Sequence, residues 1–159
     1  VIFGQLIAIS GGGDFFLNLS LSAMGGRNGG PAKAATIGSG LFGMISGVAV
    51  ANVVTTGSIT IPMMKRKGYS PEFAGAVETV ASTGGALMPP VMGALAFIMA
   101  DYMGVPYWQI ASAAIIPAVL YYVAVYLQVS FYSSRHRLGG LSTEEIPAIK
   151  KVLAEGASR

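Results

Sequence analysis

The sequence predicts an all-α membrane protein built on a re-entrant helical hairpin and a discontinuous transmembrane helix. Three observations carry that expectation. Only 11% of the residues are charged against 53% hydrophobic, with a mean hydropathy of +0.62, whereas a soluble domain carries about 25% charged residues. All ten Lys and Arg fall in three places: Arg27 and Lys33; Lys65, Arg66 and Lys67; and Arg135 onward. Two stretches inside the apolar runs, "GMISGVAVANVVTTG" and "VASTGGALMPPVMG", are rich in Gly, Pro and hydroxyl side chains, which interrupt helices.

The elements follow in order. Residues 1–9, "VIFGQLIAI", read as the end of a preceding span. "GGGDFFLNLSLSAMGG" is too short to cross and reads as an interfacial connecting helix, so residues 1–31 form one unit. From Lys33 to Lys65 the chain runs through 31 uncharged residues. That is long for one crossing and short for two, since a spanning helix takes about 20 residues. Cationic loops gather on the cytoplasmic face. If the run crossed once, cations would sit on both faces. If it dips in and returns, Arg27, Lys33 and "KRK" share one face with the later "RHR". Residues 32–67 are therefore the hairpin, with arms at 32–45 and 51–64. On the first arm Ser39, Gly43 and Gly47 recur every four residues, a close-packing pattern in lipid.

Residues 68–104 read as the discontinuous helix. Ser70 is its expected N-cap, with Pro71 at the first helical position and Glu72 in the first turn. Its interruption is placed at Ser82–Pro90, where a Gly pair precedes a Pro pair. "MGVPY" is a turn without Lys or Arg, and residues 105–132 form a last span with aromatic ends and Pro117 inside. Residues 133–159 read as a cytoplasmic linker holding a short amphipathic helix with a Ser142–Glu145 capping box. A chain that starts at Val1 without Met and ends in a polar segment is expected to be a fragment of something longer.

Several chemistries find no support. Without Cys there is no disulfide, thiolate metal site or thiol nucleophile. His136 lies between Arg135 and Arg137 and reads as an interfacial residue. No basic patch interleaved with aromatics suggests nucleic acid, "GRNGGP" lacks the strand a phosphate loop needs, and no Ser–His–Asp set exists within the apolar runs. The chain is not expected to be an enzyme.

What remains is a pair of breaks, at Ser46–Asn52 and at Ser82–Pro90. In hydrocarbon each unsatisfied backbone group costs several kcal/mol, so broken helices survive only where protein, water or a ligand supplies partners. Two breaks facing each other pool carbonyl and hydroxyl oxygens, which suits a small hard cation, while the restarting helix N-termini suit an anion. Discontinuous helices meeting at mid-depth mark secondary transporters. The candidate cation ligands are Ser46, Gly47 and Asn52 from the hairpin, and Ser82, Thr83, Gly84 and Gly85 from the second break. Glu78 stays open between an ion or proton relay and a buried partner for Arg or a hydroxyl. Asp101, close to the "MGVPY" turn, is expected to reach water.

The stretches "GGPAKAAT", "LFGMISGVAVANVVTTGSITIPMMKRKGY", "PEFAGAVETVASTGGALMPPVMGALAFIMA" and "IPAVLYYVAVYLQV" resemble the large membrane subunit of tripartite ATP-independent periplasmic (TRAP) transporters, and most closely the fused permease type. The resemblance implies part of one inverted repeat of an elevator-type ion-transporter fold, in a multi-pass protein of a bacterial or archaeal cytoplasmic (inner) membrane. It implies symport: Na+ as coupling ion, no other cofactor, and import of organic acids delivered by a periplasmic substrate-binding protein. The small-subunit part and a second inverted repeat would complete the permease. By that likeness "SGVAVAN" lines the ion and substrate sites and "STGGALMPP" completes one sodium site, so Ser46, Gly47, Val48 and Pro89 are the expected substrate-binding positions. The chain departs from the family where a hydroxyl gives way to Val48 and a Gln to Ala86, leaving backbone contacts at those places. The alternatives are an elevator-type carboxylate carrier without a binding protein and a channel with a re-entrant filter loop.

Overall fold

The computed structural model describes residues 11–142, 146–149 and 152. Among them it contains six α-helices and no strand. The expected end of a preceding span at residues 1–9 and Glu145 of the expected capping box lie outside the described residues.

Helix α1, Gly12–Met24, buries Leu17 and Leu21 against Ala34 and Met63. Helix α2, Gly30–Ser46, opens with Pro in its first turn and is the centre of the bundle, with 13 of its 17 residues buried. It ends at Gly47, whose φ of 62° is left-handed and whose N–H closes on the Gly43 carbonyl at 2.8 Å. Val48 is extended and caps helix α3, Ala49–Arg66. The chain thus reverses in two residues, because glycine enters the left-handed region without steric cost. The reversal is tighter than the sequence suggests: Asn52 lies inside α3, and its N–H already bonds Val48 O.

Helix α4, Pro71–Gly85, begins as expected, with the Ser70 hydroxyl accepting from the Phe73 amide at 3.2 Å. Glu72 is exposed. The helix continues through Ser82–Gly85, so the interruption begins at Ala86, later than expected. A helical Gly costs only about 1 kcal/mol relative to Ala, which close packing at both glycines offsets. Proline ends the helix instead. Ahead of Pro89 the ladder tightens to three-residue steps: Ala86 N–H to Thr83 O, Leu87 N–H to Gly84 O, and Met88 N–H to Gly85 O. The Pro89–Pro90 bond is cis, and helix α5, Ala94–Met103, resumes after Gly93. Asp101 is exposed near the turn at Gly104. Helix α6, Tyr107–Arg135, carries Pro117 inside and buries only Ala118, Val125, Val129 and Ser133. Among the described residues it is the one helix long and apolar enough to cross a membrane.

The glycines of α2 let each neighbour approach a different side. A Cβ at Gly38 would press on the Leu17 backbone of α1, one at Gly40 on the Tyr122 ring of α6, and one at Gly43 on the Gly85 backbone of α4. The cationic clusters gather at one end of this bundle. Gly29 N–H bonds Leu138 O at 3.1 Å and Leu141 N–H bonds Gly25 O at 2.8 Å. The Tyr69 hydroxyl, two residues beyond Lys67, bonds Ser133 Oγ at 2.7 Å.

Candidate ion and substrate site

The hairpin tip meets the interruption between α4 and α5. Ser39 and Gly43 share one face of α2 and Gly47 follows at its end: Ser39 reaches Glu78 and Gly43 packs on Gly85 in α4, and Gly47 packs on Met92 and Gly93 beyond it. Gly43 and Gly85 leave so little room that a Cβ on either would fall 2.5–2.6 Å from the other's Cα. At the tip, a Cβ on Gly47 would overlap the Met92 carbonyl, and Met92 itself is left-handed with φ 56°.

Backbone groups freed by the two breaks bond one another. The Val91 amide donates to Met44 O at 3.2 Å, and the Gly93 amide to Ala86 O at 2.8 Å. The Tyr107 hydroxyl lies 3.0 Å from Pro90 O and 2.7 Å from Val91 O. Neither the Met44–Val91 link nor Tyr107 carries a local sequence signal, since both depend on how the segments dock. One polar atom is left over. Ser46 Oγ, at the last residue of α2, is buried without a hydrogen-bond partner, the one such side-chain atom among the described residues.

Not every expected ligand comes to this junction. Ser46 and Gly47 do, and Val48 follows them at the tip. Pro89 sits in the interruption, half-buried. Gly85 is there as a packing surface for Gly43, whereas Gly84 seats the Tyr121 and Tyr122 rings of α6. Those tyrosines donate to Val80 O at 2.8 Å and Ala81 O at 2.7 Å. Thr83 is exposed, and its hydroxyl returns to Thr79 O at 2.8 Å.

Asn52 and Ser82 turn toward a buried polar cluster next to the junction. Its centre is Glu78, with no exposed surface. Glu78 Oε1 lies 2.7 Å from Ser39 Oγ, 2.5 Å from Thr56 Oγ1 and 3.1 Å from Ser82 Oγ, and Oε2 lies 2.5 Å from Thr60 Oγ1. Asn52 Nδ2 donates to Ser39 O at 2.7 Å. Of the two roles open to Glu78, hydroxyl partner is the one the geometry displays. Asn52, Thr56 and Thr60, spaced four apart on α3, with Glu78 and Ser82 four apart on α4, are the periodic signal that could have revealed the cluster.

Chemically, the junction offers neutral oxygens and one orphaned hydroxyl in a buried setting. That donor set fits a small hard monovalent cation.

Across its whole length, residues 1–159, the chain matches the family described as tripartite ATP-independent periplasmic transporter, DctM component. It is 30% identical over 145 residues to the protein y4mL of Sinorhizobium fredii, covering 84% of this chain and 34% of that one. It is 30% identical over 90 residues to the C4-dicarboxylate TRAP transporter large permease protein DctM of Rhodobacter capsulatus, covering 57% of this chain and 20% of the relative. To the isethionate TRAP transporter permease protein DctMQ of Oleidesulfovibrio alaskensis it is 41% identical over 75 residues, or 46% of this chain and 12% of the relative. Where most of the chain aligns, it spans about a third of the relative's length.

Proposed function

Because this chain belongs to the DctM-component family of tripartite ATP-independent periplasmic transporters, we propose that it is part of a sodium-coupled permease importing small organic acids delivered by a periplasmic binding protein. The relatives are named for C4-dicarboxylate and isethionate, both small organic anions, and small organic anions are the proposed substrate class.

One observation carries the reading: the tip at Ser46–Val48 is seated on the interruption after Gly85, with Ser46 Oγ buried and unpartnered. A hairpin that enters and leaves the membrane from one side accounts for the cationic loops meeting at one end of the bundle. Sodium at the junction stabilises the tip on the interruption, and the organic anion then meets a formed pocket beside Gly47, Val48 and Pro89. Coupling follows from that order, because each ligand raises the other's affinity by the same factor. The hairpin and interrupted helix belong to one inverted repeat of an elevator, and the second repeat and small-subunit part complete the permease.

Full-length permease in proteoliposomes, fed substrate-loaded binding protein, tests this. Replacing sodium with potassium or choline is expected to abolish uptake, as is omitting the binding protein. Undiminished uptake without sodium refutes the coupling, and undiminished uptake of free substrate refutes the partner.

A further inference from the structure

The cluster around Glu78 has an order that hydrogen counting brings out. Ser39, Thr56, Thr60 and Ser82 each own one hydroxyl proton. All four hydroxyls lie within hydrogen-bond reach of the Glu78 carboxyl, three at Oε1 and one at Oε2. No Lys or Arg among the described residues pairs with it. Thr56 Oγ1 also has Asn52 O at 2.9 Å, Ser39 Oγ at 3.0 Å and Asn52 Oδ1 at 3.1 Å within reach, but Glu78 Oε1 is nearest at 2.5 Å. Its proton therefore goes to Glu78, and Asn52 Oδ1 keeps its lone pairs. The Asn52 amide protons are directed elsewhere, with Nδ2 donating to Ser39 O. Gly57 makes space for this convergence, since a Cβ there would stand 3.1 Å from Glu78 Cγ.

We propose that Glu78 is a positioning residue for the coupling ion: by drawing the four hydroxyl protons to itself, it leaves the buried Asn52 Oδ1 and Ser82 Oγ with lone pairs that a cation can use. The assignment rests on the sodium-coupled reading above. A cation is repelled by donors and held by lone pairs, so the direction of each hydrogen bond matters as much as its presence. Without an acceptor at position 78, Thr56 turns to Asn52 Oδ1 or Asn52 O. Ser82 turns to the carbonyl one helical turn back, as Thr36, Thr55, Thr79 and Thr83 already do. The fold then survives with the oxygens aimed wrongly.

The test is the sodium dependence of uptake by the full-length permease in proteoliposomes with its binding protein. Glu78→Leu is close in size and accepts nothing. It is expected to raise the sodium half-saturation roughly tenfold or more, the equivalent of one directed hydrogen bond, while leaving the apparent KM for loaded binding protein unchanged at saturating sodium. Glu78→Gln should stay within about threefold of the parent. Its Oε1 takes the three-donor side, and its Nε2 faces Thr60, whose hydroxyl turns to the Thr56 carbonyl one turn back. Gly57→Ala removes no polar group but displaces Glu78, and a rise of a few-fold is expected, which keeps the proposal testable should Glu78→Leu not accumulate. The proposal is overturned if Glu78→Leu leaves the half-saturation unmoved, if Glu78→Gln raises it as much as Glu78→Leu, or if Gly57→Ala is flat where Glu78→Leu does not fold. Uptake by the parent permease that ignores sodium would refute the coupling and this assignment together. Sodium-dependent uptake with a flat variant series overturns the assignment alone.

Discussion

Replacing Gly47 with Ala is the most direct way to separate the hairpin tip from the interrupted helix. Two independent costs arise. Gly47 has φ 62°, where an L-residue loses about 1–2 kcal/mol. In addition, the new Cβ would overlap the Met92 carbonyl, far inside the 3.0 Å that real Cβ atoms keep. The obstacle is backbone, so the tip itself must retreat. Retreat stretches the 3.2 Å bond from the Val91 amide to Met44 O, forfeiting about 1 kcal/mol more. The docked tip is thereby disfavoured by about 2–3 kcal/mol, roughly 30- to 150-fold in population. A ligand that binds only the docked tip loses apparent affinity by up to that factor, in full where the undocked tip predominates without ligand. The assay is sodium-titrated uptake in proteoliposomes at matched protein levels, with Gly75→Ala as the control. Gly75 lies in α4 with nothing within 4 Å of an added Cβ, so its replacement is expected to be neutral or mildly stabilising. A Gly47→Ala permease with the parent's sodium half-saturation would refute the claim that tip docking forms the site.

Two further outcomes concern stability. Gly85→Ala places a Cβ 2.5 Å from Gly43 Cα and should destabilise the detergent-solubilised protein by about 1–3 kcal/mol, read as a lowered thermal midpoint. Gly43→Ala should cost a similar amount, and the double variant less than the sum, because both act by parting the same two backbones. Burial raises the Tyr69 hydroxyl above its ordinary value, opposed by its bond to Ser133 and assisted by Tyr132. A raised folded value means that stability is intact below about pH 10 and falls as pH climbs from there through the folded value. Thermal midpoints across that window should drop for the parent, and the part owed to Tyr69 should vanish in Tyr69→Phe.

The hairpin was legible because it is written in charge and in spacing. Arg27, Lys33 and Lys65–Lys67 flank an uncharged run of unusual length, and Ser39, Gly43 and Gly47 repeat at helical period along the side that meets α4 and the interruption after it. Ser70 and Pro71 announced the start of α4 through local chemistry alone. The end of α4 was misplaced because Gly84 and Gly85 look like breakers in isolation. Their partners, Tyr121 and Gly43, are distant in sequence and turn them into packing surfaces. Residue type likewise says nothing of helix face: of the neighbours Ser82 and Thr83, Ser82 is the one turned inward. The hydroxyl cluster escaped notice because four-residue spacings on α3 and α4 gain meaning only once the two helices are known to touch.

The docked breaks also explain why a chain rich in apolar residues interrupts two helices at all. A continuous helix satisfies its own backbone and presents nothing but side chains. Here groups released near Gly47 and Pro89 find partners: the Val91 amide donates to Met44 O across the junction, the Gly93 amide to Ala86 O within the interruption, and the Tyr107 hydroxyl to Pro90 O and Val91 O. The Val91–Met44 bond thus ties hairpin to interruption with backbone groups that the breaks expose. Ser46 Oγ stands outside that exchange. A buried hydroxyl without a partner costs about 1–3 kcal/mol, and a ligand that coordinates it would recover that cost. On the proposed reading, a coupling ion that takes up Ser46 Oγ gains by that recovery without any need for a charged side chain.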